Sequence, residues 1–98
     1  MRVHWTNRAK ARLRSIHDYI AEDSPKAALK VVDRLTARSQ QLNELPHLGR
    51  QVPEFKRNDV RELLERPYRI IFKIKSDQID VLTVVHYRQV LPKDIKKL

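Results

Sequence analysis

Apolar positions recur along the chain with two different periods. Over residues 7–22, Ala9, Leu13, Ile16 and Ile20 follow at spacings of four, three and four, which places them on one stripe of an amphipathic helix. Arg8, Lys10, Arg12 and Arg14 lie mostly off that stripe, and Glu22-Asp23 breaks the pattern. Thr6 or Asn7 can cap the start. Ser24-Pro25 then opens a second helix: the serine hydroxyl suits the N-cap, and proline at the first helical position loses no needed N–H. Ala28, Val31, Val32, Leu35 and Leu42 mark its buried side, and Pro46 stops it, so it is expected to run to about Leu45. Two amphipathic helices with a short connection make a helical hairpin.

Residues 46–59 hold the single glycine, Gly49, together with Pro46, Pro53, Arg50, Lys56, Arg57 and Asp59, and read as a loop. From Val60 the period changes to two. Val60–Glu65 is one strand. Tyr68–Lys75 is a second, with Tyr68, Ile70, Phe72 and Ile74 on one face and Arg69, Ile71, Lys73 and Lys75 on the other. After a turn at Ser76-Asp77, Gln78–Tyr87 is apolar on both faces around Val81–Val85, as a central, doubly covered strand is. At the other end of the chain, Arg2-Val-His-Trp5 alternates as a short opening strand, with Val3 and Trp5 on one face. The tail, Leu91–Leu98, fits a short helix or an arm lying on the sheet.

The order is β-α-α-β-β-β, an α+β architecture in which a helical hairpin covers one face of a curled antiparallel sheet. The other face is expected to show Arg, Lys and His, and so to be the working surface. Trp5, Tyr19 and Tyr68 read as packing residues, whereas His4, His17 and His47 read as surface or loop positions without ligand spacing.

Composition narrows the function. The 98 residues suit a single domain spanning 1–98. The chain has no cysteine, which removes disulfides, thiolate metal sites and a cysteine nucleophile. No stretch approaches the roughly 20 apolar residues of a membrane span, and the N-terminus lacks the apolar core of a signal peptide. The expectation is a cytoplasmic protein with no cofactor, no metal and no membrane partner. Lys and Arg number 21 against 12 Asp and Glu, a net charge of +9. Residues 1–50 hold ten basic and five acidic side chains and residues 51–98 eleven and seven, so the field belongs to the folded surface rather than to a tail. Such a surface either keeps a small protein soluble or meets an anionic partner.

An ordered set of short pieces carries a resemblance. Trp5 stands before the first helix, Asp18-Tyr-Ile-Ala21 closes it, and Ser24-Pro25 with Ala27-Ala28 opens the second. Leu45-Pro46-His-Leu-Gly49-Arg50, Val60-Arg61-Glu62-Leu63, Tyr68-Arg69-Ile70-Ile71-Phe72, Val84-Val85-His86-Tyr87-Arg88 and Pro92 follow. In this order, over residues 5–92, the chain resembles the ParE branch of the RelE/ParE toxins of bacterial toxin–antitoxin pairs, the plasmid-stabilisation toxins. The resemblance implies a RelE/ParE-like fold and a cognate antitoxin that wraps an acidic segment around the basic surface.

That superfamily contains two classes of action. RelE-like members are ribosome-dependent mRNA endonucleases; ParE-like members bind and poison DNA gyrase. Metal-free RNA cleavage needs a base for the 2′-OH, cations for the phosphate and an acid for the leaving oxygen. Arg69 and Arg88 match positions where RelE-like enzymes place phosphate-contacting arginines, and on adjacent strands they could approach one another. ParE-like members carry arginines there too. Glu62, however, stands where RelE-like enzymes have a lysine, and Arg61–Glu62 reads as a partner-contacting or ion-pairing element similar to ParE. His86 is a candidate proton donor, or a histidine hydrogen-bonded at a strand end. Alternation along a strand allows only one of His86 and Tyr87 on a given face, with His86 sharing that of Arg88.

The resemblance thus implies a gyrase-binding toxin with Arg50, Arg61, Glu62, Arg69, His86 and Arg88 as partner-binding residues, aided by the helical hairpin. The alternative is a ribosome- and mRNA-directed endonuclease using Arg69, His86, Arg88 and Glu62. A third reading, a DNA-binding module, rests on Arg8, Lys10, Arg12 and Arg14 touching phosphate.

Overall fold

Side-chain caps start both helices in the computed structural model, which describes residues 1–98. Helix α1 spans Asn7–Ala21, and the Thr6 hydroxyl accepts the Ala9 N–H at 3.2 Å. The same hydroxyl donates to the Val81 carbonyl at 2.9 Å, so the cap also fastens α1 to the sheet. Helix α2 spans Pro25–Gln40, and the Ser24 hydroxyl accepts the Ala27 N–H at 3.1 Å. Its last turn tightens into a 3-10 turn, Gln41–Asn43. The Leu45 N–H still reaches the Gln41 carbonyl at 3.0 Å before Pro46, which has no N–H to continue the series. Ser24→Ala removes one cap and is expected to lower stability by about 1 kcal/mol, read as a lower urea midpoint at unchanged slope.

Five strands form one sheet in the order β1-β5-β4-β3-β2. They are β1 (Arg2–Trp5), β2 (Arg50–Gln51), β3 (Val60–Glu65), β4 (Tyr68–Ile74) and β5 (Gln78–His86). The β3-β4-β5 meander is antiparallel, as its short connections require. The sheet as a whole is mixed, which corrects the antiparallel expectation. Strand β1 runs parallel to β5, with Arg2 opposite Gln78 and Trp5 opposite Val81. Nothing forces a hairpin there, because the helices and the meander lie between the two strands and serve as one long crossover. Arg50–Gln51, expected within a loop, pairs with β3. Two residues are too few to show a period.

The helix-facing side of the sheet carries the larger core. Leu63, Ile70, Phe72, Ile79, Val81 and Val84 pack there with Ala9, Leu35 and Leu42. Trp5 joins this core and donates its indole N–H to the Ser39 hydroxyl at 3.1 Å. Tyr68 packs against it as expected, but Tyr19 is 76% exposed and plays no packing role. The pairing of β4 with β5 shifts between Ile71 and Phe72: Ile71 faces Thr83 and Phe72 faces Val81, which leaves Leu82 as an extra residue. This bulge resets the alternation, so β5 is apolar on both faces.

The second face is not an open cationic sheet. Val52, Val60, Ile71, Val85, Leu91 and Leu98 form a second core, with Phe55, Leu82 and Ile95 against it. The Val52–Phe55 turn and the 91–98 segment cover it, and the latter combines both expected forms: a 3-10 turn at Ile95–Lys97 lying on the sheet. Arg8 donates to the carbonyls of Lys96 and Leu98, and Arg12 to the Val84 carbonyl and the Gln89 side chain. Two of the four basic side chains of α1 are therefore engaged within the chain. No helix is long and apolar enough to cross a membrane.

Candidate functional site

The uncovered end of the second face is organised by a close backbone approach. Gly49 is buried beneath β3 and β4. A Cβ there would stand 2.5 Å from the Glu62 carbonyl oxygen and 2.8 Å from two carbons of the Phe72 ring. The missing side chain lets the chain run beside β3, and this sets Arg50 directly opposite Glu62. Arg61, on the other side of β3, donates through Nε and Nη2 to the Gly49 carbonyl at 3.0 and 2.7 Å. It clamps the turn and does not pair with Glu62.

Glu62 has a fully buried side chain, and each oxygen has its own cation. Arg50 Nε donates to Oε2 at 2.7 Å, and Arg69 Nε to Oε1 at 2.6 Å. Arg69 then extends the chain of charges, its Nη1 and Nη2 donating to the two oxygens of Glu54 at 2.9 and 2.8 Å. Burial of ions is costly, and here each buried charge meets oppositely charged, hydrogen-bonding partners. The Arg69 hydrogen bonds hold the Glu54 carboxyl below its ordinary value, against a smaller effect of burial. In turn Glu54 first, and Glu62 after it, raise the Arg69 guanidinium above its own ordinary value although burial opposes them.

Glu62 is ion-paired, but with Arg50 and Arg69 rather than in an element with Arg61, whose guanidinium is held by the Gly49 carbonyl. The expectation that Arg69 lies on an open face is corrected: its side chain is 8% exposed. The outer ends differ, with Arg50 at 62% and Glu54 at 41%. No sequence feature marks Glu54, which sits in an aperiodic turn and meets Arg69 only through the fold.

His86, Tyr87 and Arg88 form a separate exposed group where β5 ends. Strand alternation stops at His86, so its ring stacks on Tyr87 with centroids 4.8 Å apart and planes 26° apart. This overturns the expected placement of the two side chains on opposite faces. The His86 Nδ1 accepts the Arg88 N–H at 3.2 Å, and the Arg88 guanidinium lies 5.4 Å from the Tyr87 ring centre. Arg69 and Arg88 have different partners: Arg69 is bound by Glu62 and Glu54 within the sheet, and Arg88 is anchored on Tyr87.

Between the two groups lies a cleft of about 770 Å³, bordered by Arg50, Pro53, Glu54, Leu64, Arg66, Pro67, Tyr68, Arg69 and Tyr87. Its size is that of a binding site. No group of three or more His, Asp or Glu side chains is placed to hold a metal ion.

The model of the ParE toxin of the parDE type II toxin–antitoxin system matches residues 3–91. The chain belongs to this ParE toxin family. It is 38% identical over 91 residues to the Y4kP protein of Sinorhizobium fredii, covering 93% of each chain. To toxin RelE2 of Caulobacter vibrioides it is 34% identical over 85 residues, 86% of this chain and 92% of that one. Its fold is similar to a chain of the chromosomal ParDE system from P. aeruginosa, with a TM-score of 0.73 and 31% identity over 88% of this chain and 95% of the other. As a ParE-family toxin of a type II system, it has a cognate antitoxin as its partner.

Proposed function

We propose that this ParE-family toxin acts by binding DNA gyrase, and that its antitoxin silences it by covering the basic surface around the cleft. One observation carries the reading: both carboxylates near the site are already committed. Glu62 is sealed between Arg50 and Arg69, and both Glu54 oxygens accept from Arg69. The Arg69 hydrogen bonds lower the proton affinity of Glu54, which makes it a poor general base at neutral pH, and buried Glu62 has both oxygens occupied by arginines. The exposed arginines and apolar cleft retain what a protein-binding surface needs.

Purified toxin is expected to inhibit gyrase supercoiling and to leave ribosome-bound mRNA intact. The kinship with a RelE-named toxin and the exposed pair His86 and Arg88 support a second reading, mRNA cleavage. Cleavage that requires ribosomes and disappears in His86→Ala, with supercoiling unaffected by the unaltered protein, decides for that second reading.

A further inference from the structure

Strand β1 accompanies β5 only as far as Val81, so the border of β5 from Leu82 to His86 has no strand beside it. Arg8 and Arg12, one turn apart on α1, reach round this border. Arg12 Nε donates to the Val84 carbonyl at 3.3 Å and its Nη2 to the Gln89 side chain at 3.0 Å. Arg8 Nη1 donates to the backbone oxygens of Lys96 and Leu98. Beside them lies a second cavity of about 280 Å³, which Lys97 and Thr83 also line. None of the ion pairs of the chain includes Arg8, Arg12 or Lys97. A chain end at Leu98 would offset one of these three charges and leave two. Thr83 is 2% exposed, and its neighbour on the same face, Val85, belongs to the second core. A valine of the same shape would be buried at position 83 at lower cost. The Thr83 hydroxyl has no hydrogen-bond partner, yet no polar side-chain atom is sealed from solvent without one, so this hydroxyl opens into the cavity.

We infer that this cavity is a binding site for a single phosphate group. Arg8 keeps Nε and Nη2 unpartnered and Arg12 keeps Nη1, and the Lys97 ammonium and the Thr83 hydroxyl add further donors. Surplus positive charge and many donors suit a tetrahedral polyanion: a guanidinium takes two of its oxygens, and the ammonium and hydroxyl take others. A lone carboxylate has two oxygens and one charge and leaves most of these donors unused. Guanidiniums one helical turn apart repel, and an anion between them offsets that repulsion. The volume lies near the lower end of ligand sites, roughly 300 Å³, which admits a phosphate and little of what carries it. The group comes from a small phosphate ester or from a DNA backbone, and the chemistry that recognises it is the same. The cavity shares no lining residue with the cleft beside Arg50, so the inference does not depend on the toxin's target.

The test titrates inorganic phosphate into the full chain at constant ionic strength and follows the Gln89 and Leu98 amide resonances. Saturable shifts are expected. Thr83→Val keeps the side-chain shape, removes the hydroxyl and weakens binding about tenfold, as loss of a hydrogen bond to a charged group does. Lys97→Gln, on an exposed side chain, weakens it about fivefold, the effect of one charge at contact distance in water. Lys26→Gln removes the same charge at the far end of the helical hairpin from Arg8. That distance exceeds the screening length of about 10 Å, so affinity stays within about twofold. A short DNA duplex is the second probe. A duplex that shifts Gln89 and is displaced by phosphate supports the site and assigns its phosphate to a DNA backbone. Phosphate binding with no duplex shift at Gln89 supports the site and assigns it to a small ester. The inference is overturned if phosphate gives no saturable shift at Gln89. It is equally overturned if Thr83→Val and Lys97→Gln, both folded by circular dichroism, bind phosphate like the unaltered chain. Equal losses in Lys26→Gln and Lys97→Gln also overturn it, because they assign the shifts to net charge alone.

Discussion

Replacing Arg69 with methionine is expected to destabilise the protein by about 3–5 kcal/mol. The substitution keeps the chain length and apolar stem but removes the guanidinium that joins Glu62 to Glu54. Glu62, with a side chain 0% exposed, then keeps only Arg50. Breaking one partner of a buried pair leaves a charge that neither water nor protein compensates. Glu54→Gln removes the outer pair instead, and the 41% exposure of Glu54 limits its effect to about 1 kcal/mol or less. Glu62→Leu combined with Arg69→Met removes both buried charges together and is expected to recover much of the loss. Urea unfolding followed through Trp5, the single tryptophan, measures all three. An Arg69→Met protein as stable as the original sinks the view that this network holds the sheet edge together.

Gly49→Ala is expected to cost about 3 kcal/mol, the upper end of what overpacking usually costs. Gly-to-Ala changes at compatible sites stabilise by limiting the unfolded chain, and Gly49 does not adopt a positive φ. Torsion is therefore not the obstacle. The added carbon meets a backbone oxygen at 2.5 Å, and no rotamer change can move that atom. Either β3 or the Gly49 segment must shift, and Arg50 shifts with it relative to Glu62. Adding Phe72→Leu to Gly49→Ala relieves the ring contact alone. The double variant should therefore show a coupling energy that offsets only part of the loss. A rise in unfolding midpoint on Gly49→Ala contradicts the close approach.

Much of the architecture was legible because it is local. Ser24-Pro25 announces a helix start through a hydroxyl and a missing N–H, and the β4 alternation assigns Ile70 and Phe72 to the core. The fate of Arg69 was not legible. The same alternation puts it on the second face, but its burial depends on Glu62 seven residues earlier and on Glu54 in an irregular turn. The bulge at Leu82 and the two-residue β2 leave no period to read. Arg50 and Glu62 were both recognisable as candidates, yet their pairing depends on the contact that Gly49 permits. The cleft leaves no mark in the sequence for the complementary reason. Leu64 looks like any core leucine in sequence, and only the extent of the covering segments shows that it is bare.

The partnership of β1 with β5 also bears on how the molecule comes into being. Thr6 bonds to a carbonyl 75 positions further on, so the first strand emerges during synthesis long before its neighbour exists. Until residues 78–86 have left the ribosome, one border of the sheet has no strand to pair with. The helices can form in the nascent chain, but the completed sheet must wait until β5 has been made.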